Sequence, residues 1–334
     1  MASTVVSGSA PTPIPSIEAG SIPNLNPNAT LYGYVPTLWI CALFIALFSI
    51  STLLHIYQAA KYRLWWLYAT IVVGGVCEIL GWSGRLWSSK EPRQLNPYLM
   101  QICTTILAPS WMTAANFTIL GIIIRLLGSQ YSWLSPRMYL IVFLTFDLVA
   151  LVGQAVGGAQ ASLAAQSGND PEPGGNIMKW FIVIQLISIV LYALCAFEFL
   201  LRYHLNKPVR SKPYADKPSE DEERVGHRVM DRGIQLMIVG MGISTLFIFI
   251  RSIYRTIELS DGWSGRIITT QLYFNVLDGA AIVISMYAIN ICHPGFLLRD
   301  NARTMGKKPK PAIIEAEKGE KGEYAVNVTP NDAE

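Results

Sequence analysis

Charged and amide side chains interrupt stretches of this sequence that are otherwise apolar. They are Glu78, Arg85, Asn116, Asp147, Gln154, Arg251, Arg255, Glu258 and Asp278. A charge in a hydrocarbon environment costs free energy, so each of these residues is a candidate for ion pairing, proton transfer or ligand binding. The segment from Arg251 to Gly295 holds the densest group of them, and the question is which elements position these side chains.

The composition predicts an all-α integral membrane protein. The chain has 334 residues, of which 51% are apolar and 15% charged, and its mean hydropathy is +0.35. Average soluble domains are less apolar and more charged. A transmembrane helix needs about 20 mainly apolar residues. Seven segments meet this length: Val35–Tyr57, Leu64–Leu80, Tyr98–Ile124, Tyr139–Ala161, Ile177–Leu201, Ile234–Tyr254 and Leu272–Cys292.

The distribution of Lys and Arg predicts the orientation of this seven-helix bundle. Basic residues near the ends of spans are retained in the cytoplasm, and most of them fall there if the N-terminus is outside and the C-terminus is cytoplasmic. We therefore expect an extracellular tail over 1–30, a membrane domain over 31–298 and a cytoplasmic tail over 299–334, with both tails disordered. Asn28, followed by Ala29 and Thr30, is a glycosylation acceptor on the correct side.

The sequence gives little support for catalysis. It contains no zinc-protease helix, serine nucleophile elbow or phosphate-binding loop. The five cysteines have no metal or disulfide spacing, and the four histidines are too scattered to form a metal site within the spans. We expect a protein that is not an enzyme, with no cofactor and no bound metal. The net charge of +3 is small and does not indicate a nucleic-acid partner.

Counting along the helices places one group of charges in the outer half of the bundle, at 1.5 Å of rise per residue. The group comprises Glu78, Arg85, Arg251, Arg255 and Glu258. Two interpretations remain open. These residues form buried pairs that fix helix packing, which is weak evidence for anything more, or they act as a gate or as a site for an anionic head group.

The same count places Asp147 and Asp278 near the middle of the membrane, with no basic residue at their depth. Burial then requires protonation, a proton shared between the two, or a cationic ligand. We interpret these two acids as substrate-binding or proton-coupling residues. Gln154 and Asn116 add neutral polar groups to the same candidate site.

Six motifs in order resemble one family of membrane proteins. They are Tyr32-Gly-Tyr-Val-Pro36, Glu78-Ile-Leu-Gly-Trp-Ser-Gly-Arg85, Leu107-Ala-Pro109 with Ala114-Ala-Asn116, Asp147 with Gln154 through Gly158, Arg251-Ser-Ile-Tyr-Arg-Thr-Ile-Glu258 with Gly262 and Gly265, and Asp278 with Asn290-Ile-Cys-His-Pro-Gly295. Over about residues 31–297 the chain resembles the fungal lipid-translocating exporters. These are seven-span, aminocholesterol-resistance-like proteins that include a sphingoid long-chain-base exporter and a porphyrin transporter.

The resemblance implies movement of amphiphiles such as sphingoid bases, sterol-like compounds or toxic lipid-like molecules, and we expect this to take place at the plasma membrane. Its mechanism would place a cationic head group against Asp147 or Asp278 and the tail between helices. Gln271 and Asn275 stand where the family usually has an acidic residue and a tyrosine, and Trp82 stands where tyrosine is more usual. These differences bear on the identity of the substrate.

A second function class fits the same topology. A seven-helix receptor or lipid sensor would also have its N-terminus outside and would signal through the basic loop at 202–232. That loop is either a solvated connector or a site for a cytoplasmic regulator. Beyond such a regulator, we expect the partners to be membrane lipids and an amphiphilic substrate.

Overall fold

The computed structural model describes residues 32–209, 230–261 and 265–298. Several sequence-based predictions lie outside these residues. They concern the glycosylation acceptor Asn28, the two terminal tails, Gly262 and most of the 202–232 loop.

All seven predicted spans are helices long and apolar enough to cross a membrane. No β-strand occurs in the described ranges, so the predicted fold class is confirmed. The orientation of the termini stays a prediction. The helices are α1 Leu38–Tyr62, α2 Trp65–Lys90, α3 Leu95–Leu127, α4 Pro136–Gln166, α5 Glu172–His204, α6 Arg232–Ser260 and α7 Gln271–Leu297.

The helices extend beyond the apolar stretches that predicted them. Helix α2 was expected to end at Leu80 but continues to Lys90. Its last turns carry Arg85 and Ser88, both 1% exposed. Because these polar side chains face the interior of the bundle, an apolar run alone cannot mark the end of the helix.

Helix α3 is the central element of the bundle. In an apolar stretch of 18 residues in α3, 72% are buried, against 33% in the corresponding stretch of α1, and α3 packs against α2, α4, α5 and α6. Small residues allow close packing at its neighbours: a Cβ on Gly157 of α4 would lie 2.5 Å from the backbone nitrogen of Met178 in α5. This agrees with the role expected for glycine in membrane helix contacts.

Two helices contain π-helical segments, Tyr68–Val72 in α2 and Phe274–Ala280 in α7. The segment in α7 carries Asn275 and Asp278, which are both buried. Such segments are frequent at functional sites. We call the end of the bundle where α2 ends and α7 begins the outer end, in keeping with the predicted orientation.

Candidate functional site

Asp278 lies at the centre of a buried ion-pair network. Arg255 donates from Nε to Oδ1 at 3.0 Å and from Nη2 to Oδ2 at 3.1 Å. Arg251 adds an ion pair, with its Nε 2.7 Å from Oδ1. All three side chains are at most 8% exposed. The carboxylate therefore has one arginine in two-point contact and a second beside it, a geometry that gives strong, directional pairing.

The prediction that Asp278 has no basic residue at its depth was wrong. Asp278 is seven residues in from the start of α7 at Gln271. Arg251 and Arg255 are nine and five residues in from the end of α6 at Ser260. All three therefore lie about 8–14 Å along their helices from the outer end. The error came from placing Asp278 with Asp147, and it belongs with the outer charges.

Glu258 and Thr105 complete this network. Glu258 accepts from Arg255 Nη1 at Oε2, 3.0 Å away, and from the Tyr254 hydroxyl at Oε1, 2.8 Å away. Thr105 of α3 accepts from Arg255 Nη2 at its hydroxyl, 3.2 Å away, and from Arg251 at its backbone carbonyl. The network thus ties α6 and α7 to the central helix.

Glu78 and Arg85 are both buried but do not join these ion pairs. Glu78 is 1% exposed, and its Oε1 has no hydrogen-bond partner in the described residues. Among the described residues no acid lies within ion-pair distance of Arg85. Glu78 and Arg85, two members of the outer set, therefore do not pair with each other, because their side chains are two turns apart on α2.

Aromatic rings surround the Arg85 guanidinium instead of carboxylates. Its central carbon lies 4.0 Å from the ring centroid of Phe274, 5.0 Å from Tyr32 and 5.4 Å from Tyr34. Arg85 also donates a hydrogen bond to the Tyr34 hydroxyl. Attraction between a cation and the face of an aromatic ring offsets part of the cost of burial.

Asp147 of α4 lies in a different environment from Asp278. It is fully buried, and no basic side chain in the described ranges pairs with it, as the sequence predicted. The Thr113 hydroxyl is 2.7 Å from its Oδ2 and 2.9 Å from the carbonyl oxygen of Ser110. A hydroxyl has one proton to donate, so both contacts are satisfied when Asp147 carries a proton and Thr113 donates to Ser110.

Gln154 and Asn116 also lie in buried polar contacts. Gln154 donates to Gln185 of α5 at 2.9 Å, and Gln185 donates to the Ser110 hydroxyl at 2.8 Å. Asn116 donates to Ser244 of α6 at 3.1 Å. Sequence reasoning selected Asn116 alone on α3, although Ser110, Thr113 and Asn116 recur every three residues. That spacing places polar groups on one helix face and is the signal that was missed.

An apolar cavity of about 560 Å³ lies between α3, α4 and α5. Gln154 and Leu151 of α4 contribute to its wall, and Asp147 is one turn from Leu151 on the same face. Ala155 and Ala159 also line the cavity, and both are exposed on the bundle surface. The cavity therefore opens at a face that a membrane would cover, and its volume is in the range of ligand sites.

A smaller pocket of about 170 Å³ lies at the outer end. The charged side chains that line it and are buried or half-buried are Arg85, Lys179, Arg255 and Glu258. Tyr32 forms another part of the wall, and burial raises the pKa of this phenol to about 12, so it is neutral at physiological pH. Four side chains line both this pocket and the apolar cavity, namely Tyr98, Ile102, Ile106 and Met178. The two spaces are therefore adjacent.

The described residues contain no group of three side chains able to hold a metal ion. The five cysteines, all within those residues, are free thiols.

Comparison with known proteins finds one matching family model, described as RTA1 like protein, over residues 71–301. The sphingoid long-chain base transporter RSB1 of Saccharomyces cerevisiae is 28% identical over 89% of this chain and 81% of its own length. Protein RTA1 of the same yeast is 24% identical over 79% of this chain and 84% of its own. Its protoporphyrin uptake protein 1 is 23% identical over 65% of each. No solved structure matches.

Proposed function

The chain belongs to the RTA1-like family, and from this premise we propose that it transports amphiphiles of the sphingoid-base, sterol-like or toxic lipid-like class by export or flipping. The seven apolar helices and the relative named as a sphingoid long-chain base transporter support a multi-pass membrane protein of a lipid transporter family. This relative is not named as an enzyme.

The observation that carries the proposal is the apolar cavity between α3, α4 and α5. Its polar groups are few, and Gln154 is one of them. A cavity open at the surface that faces lipid admits a hydrocarbon tail without passage through water, and this supports lateral entry of an amphiphile from one leaflet. Burial of apolar surface in such a site stabilises the bound tail.

Asp147 is the residue that we propose for a cationic head group or for a coupling proton. It lies on the same face of α4 as Leu151 and Gln154, which line the cavity, and its Oδ1 has no hydrogen-bond partner in the described residues. Asp278 is less suited to this role because two arginines already pair with it. We assign Asp278 and the arginines to holding α6 against α7.

The test uses purified protein in liposomes and a fluorescent sphingoid base placed in one leaflet. A quencher that cannot cross the bilayer is added outside the liposomes. Movement from the inner to the outer leaflet is measured as the decrease in the fraction of fluorescence that this quencher cannot reach. We expect protein-dependent movement. The matched variants are Ala155→Phe, which places a ring in the cavity, and Val156→Phe, whose side chain is 48% exposed and outside the cavity wall. Only the first is expected to slow movement.

Two outcomes would overturn the proposal. The first is the absence of movement for sphingoid bases, sterol analogues and toxic amphiphiles alike, with ligand-dependent recruitment of a cytoplasmic protein, which is the behaviour of a receptor acting through the 202–232 loop. The second is equal movement by the two phenylalanine variants. Imaging of the tagged full-length chain in a fungal cell tests the further proposal that it resides in the plasma membrane.

A further inference from the structure

Arg85 is a buried cation that lacks an acidic partner. Its side chain is among the largest that are fully buried, with 1% of the residue exposed. In the part of the chain that the structure describes, no carboxylate pairs with it, and its Nε–H has no acceptor. Aromatic rings and the neutral Tyr34 hydroxyl surround it. A buried donor of a charged group that makes no hydrogen bond costs free energy. An anionic acceptor at this position would remove that cost.

The remaining charges of the outer pocket do not supply that acceptor. Arg255 and Glu258 pair with each other at 3.0 Å, and both Glu258 oxygens are engaged, one by Arg255 and one by Tyr254. Lys179 is half-buried and, like Arg85, has no ion-pair partner among the described residues. The acid at the rim, Glu172, is exposed to solvent. The uncompensated charge inside the pocket is therefore positive.

We propose that the outer pocket binds the oxyanion head group, a phosphate or a carboxylate, of a single-chain amphiphile whose tail lies in the apolar cavity. Arg85 supplies a fixed guanidinium, which matches the geometry of either anion, and Lys179 supplies a second positive charge. The side chains of Tyr98, Ile102 and Met178, which line both spaces, lie along the join between head and tail. This inference rests on the proposed function, because it names a substrate class for the same cavity.

A cationic head group fits this pocket less well. The buried carboxylate that lines it, Glu258, already accepts a hydrogen bond at each oxygen, whereas the guanidinium of Arg85 and the ammonium of Lys179 have no ion-pair partner in the described residues. An amine placed there would meet two like charges. The outer pocket therefore favours acidic amphiphiles, whereas Asp147, which lines neither space, is the residue proposed for basic ones.

The binding test compares probes that share one tail. Full-length protein in lipid nanodiscs is incubated with radiolabelled hexadecyl phosphate, and hexadecyl phosphate, hexadecanoate, hexadecanol and hexadecylamine compete for it. We expect the phosphate and the carboxylate to compete about tenfold more strongly than the alcohol, since a charge-assisted hydrogen bond contributes at least that factor. The ratio of phosphate to carboxylate tells which anion the pocket prefers. Equal competition by all four probes, or strongest competition by the amine, overturns the proposal.

Matched variants locate the effect. Arg85→Met and Lys90→Met each remove one positive charge from the end of α2, but Lys90 is exposed and does not line the pocket. We expect Arg85→Met to abolish the preference for the anions and Lys90→Met to retain it. Hexadecanol should compete equally in both variants if each is folded, as judged by size-exclusion chromatography. An undiminished preference in folded Arg85→Met contradicts the assignment.

A second variant keeps the test decisive if Arg85→Met does not fold. Lys179 is half-buried and makes no ion pair in the described ranges, so Lys179→Met should fold and should lower the preference by about threefold. A full preference in this variant also contradicts the proposal. If only the head-group inference is wrong, hexadecanol still competes with the labelled phosphate. If the cavity is not the transport site, hexadecanol does not compete, and Ala155→Phe binds every probe as the unmodified protein does.

Discussion

Arg255 of α6 donates two hydrogen bonds to Asp278 of α7, from Nε to Oδ1 at 3.0 Å and from Nη2 to Oδ2 at 3.1 Å. Arg251 joins the same carboxylate at 2.7 Å. An aspartate with two arginine partners already has its charge balanced, so we expect its main role to be holding α6 against α7. This relationship changes what substitution of Asp278 should do.

Asp278→Asn should destabilise the protein as well as impair transport. It leaves two buried arginines short of a negative charge, and loss of one partner of a buried ion pair costs about 3–5 kcal/mol. Thermal unfolding in detergent measures the effect, with Glu91→Gln as a control because Glu91 is exposed. Adding Arg251→Met to Asp278→Asn should recover part of the stability. Unfolding of Asp278→Asn at the temperature of the unmodified protein, with transport lost, would instead support direct binding of substrate.

Asp147→Asn should have the opposite pattern. The amide has the size of the protonated carboxyl and can keep the contact with Thr113, so the change in stability should be below about 1 kcal/mol. Transport of a cationic amphiphile should fall by more than about tenfold, because no negative charge and no titratable proton remain at this position. Unfolding temperature and liposome transport measure the two effects. Full transport by Asp147→Asn removes Asp147 from the mechanism.

Gly174→Ala should weaken the contact between α4 and α5. A Cβ at this position would lie 2.7 Å from the carbonyl oxygen of Gly157, and steric overlap of this kind costs about 1–3 kcal/mol. Gly242→Ala is the matched control, since a Cβ there has open space and alanine favours the helix. The expected result is a lower unfolding temperature for Gly174→Ala alone. Equal unfolding temperatures would mean that α4 and α5 are packed less closely.

Asn28→Gln tests the orientation predicted from the charges. If the N-terminus is outside, enzymatic removal of glycans should increase the gel mobility of the protein, and Asn28→Gln should abolish that shift. The acceptor sequence at Asn327, predicted to be cytoplasmic, provides the control, because Asn327→Gln should change nothing. If Asn327→Gln instead abolishes the change in gel mobility, the C-terminus is outside and the predicted orientation is wrong.

Sequence reasoning predicted the number and approximate position of the helices because a long apolar run has few structural alternatives in a membrane. It placed Asp147 in a site without cations, which the structure also shows. It misplaced Asp278 relative to the arginines, because the span predicted for α6 ended at Tyr254, six residues before the helix ends at Ser260. Counted from the helix ends that the structure shows, Arg251, Arg255 and Asp278 lie at similar depths.

Other parts of the site depend on tertiary packing and have no local signal. The apolar cavity is lined by residues of α3, α4 and α5, among them Ala155 and Ala159, and the way in which three helices pack is not written in any one segment. The surroundings of Arg85 combine Tyr32 and Tyr34 with Phe274. These residues are far apart in sequence, so their convergence around one guanidinium was not predictable from spacing.

The π-helical segment Phe274–Ala280 affects how α7 should be drawn in two dimensions. Its backbone hydrogen bonds span five residues where those of an α-helix span four, which inserts one extra residue into the turn. Each residue of an α-helix occupies about 100° of rotation. A helical wheel continued outward from Ala281 through this segment would therefore misplace its outer residues by about a quarter of a turn and assign them to the wrong neighbouring helix.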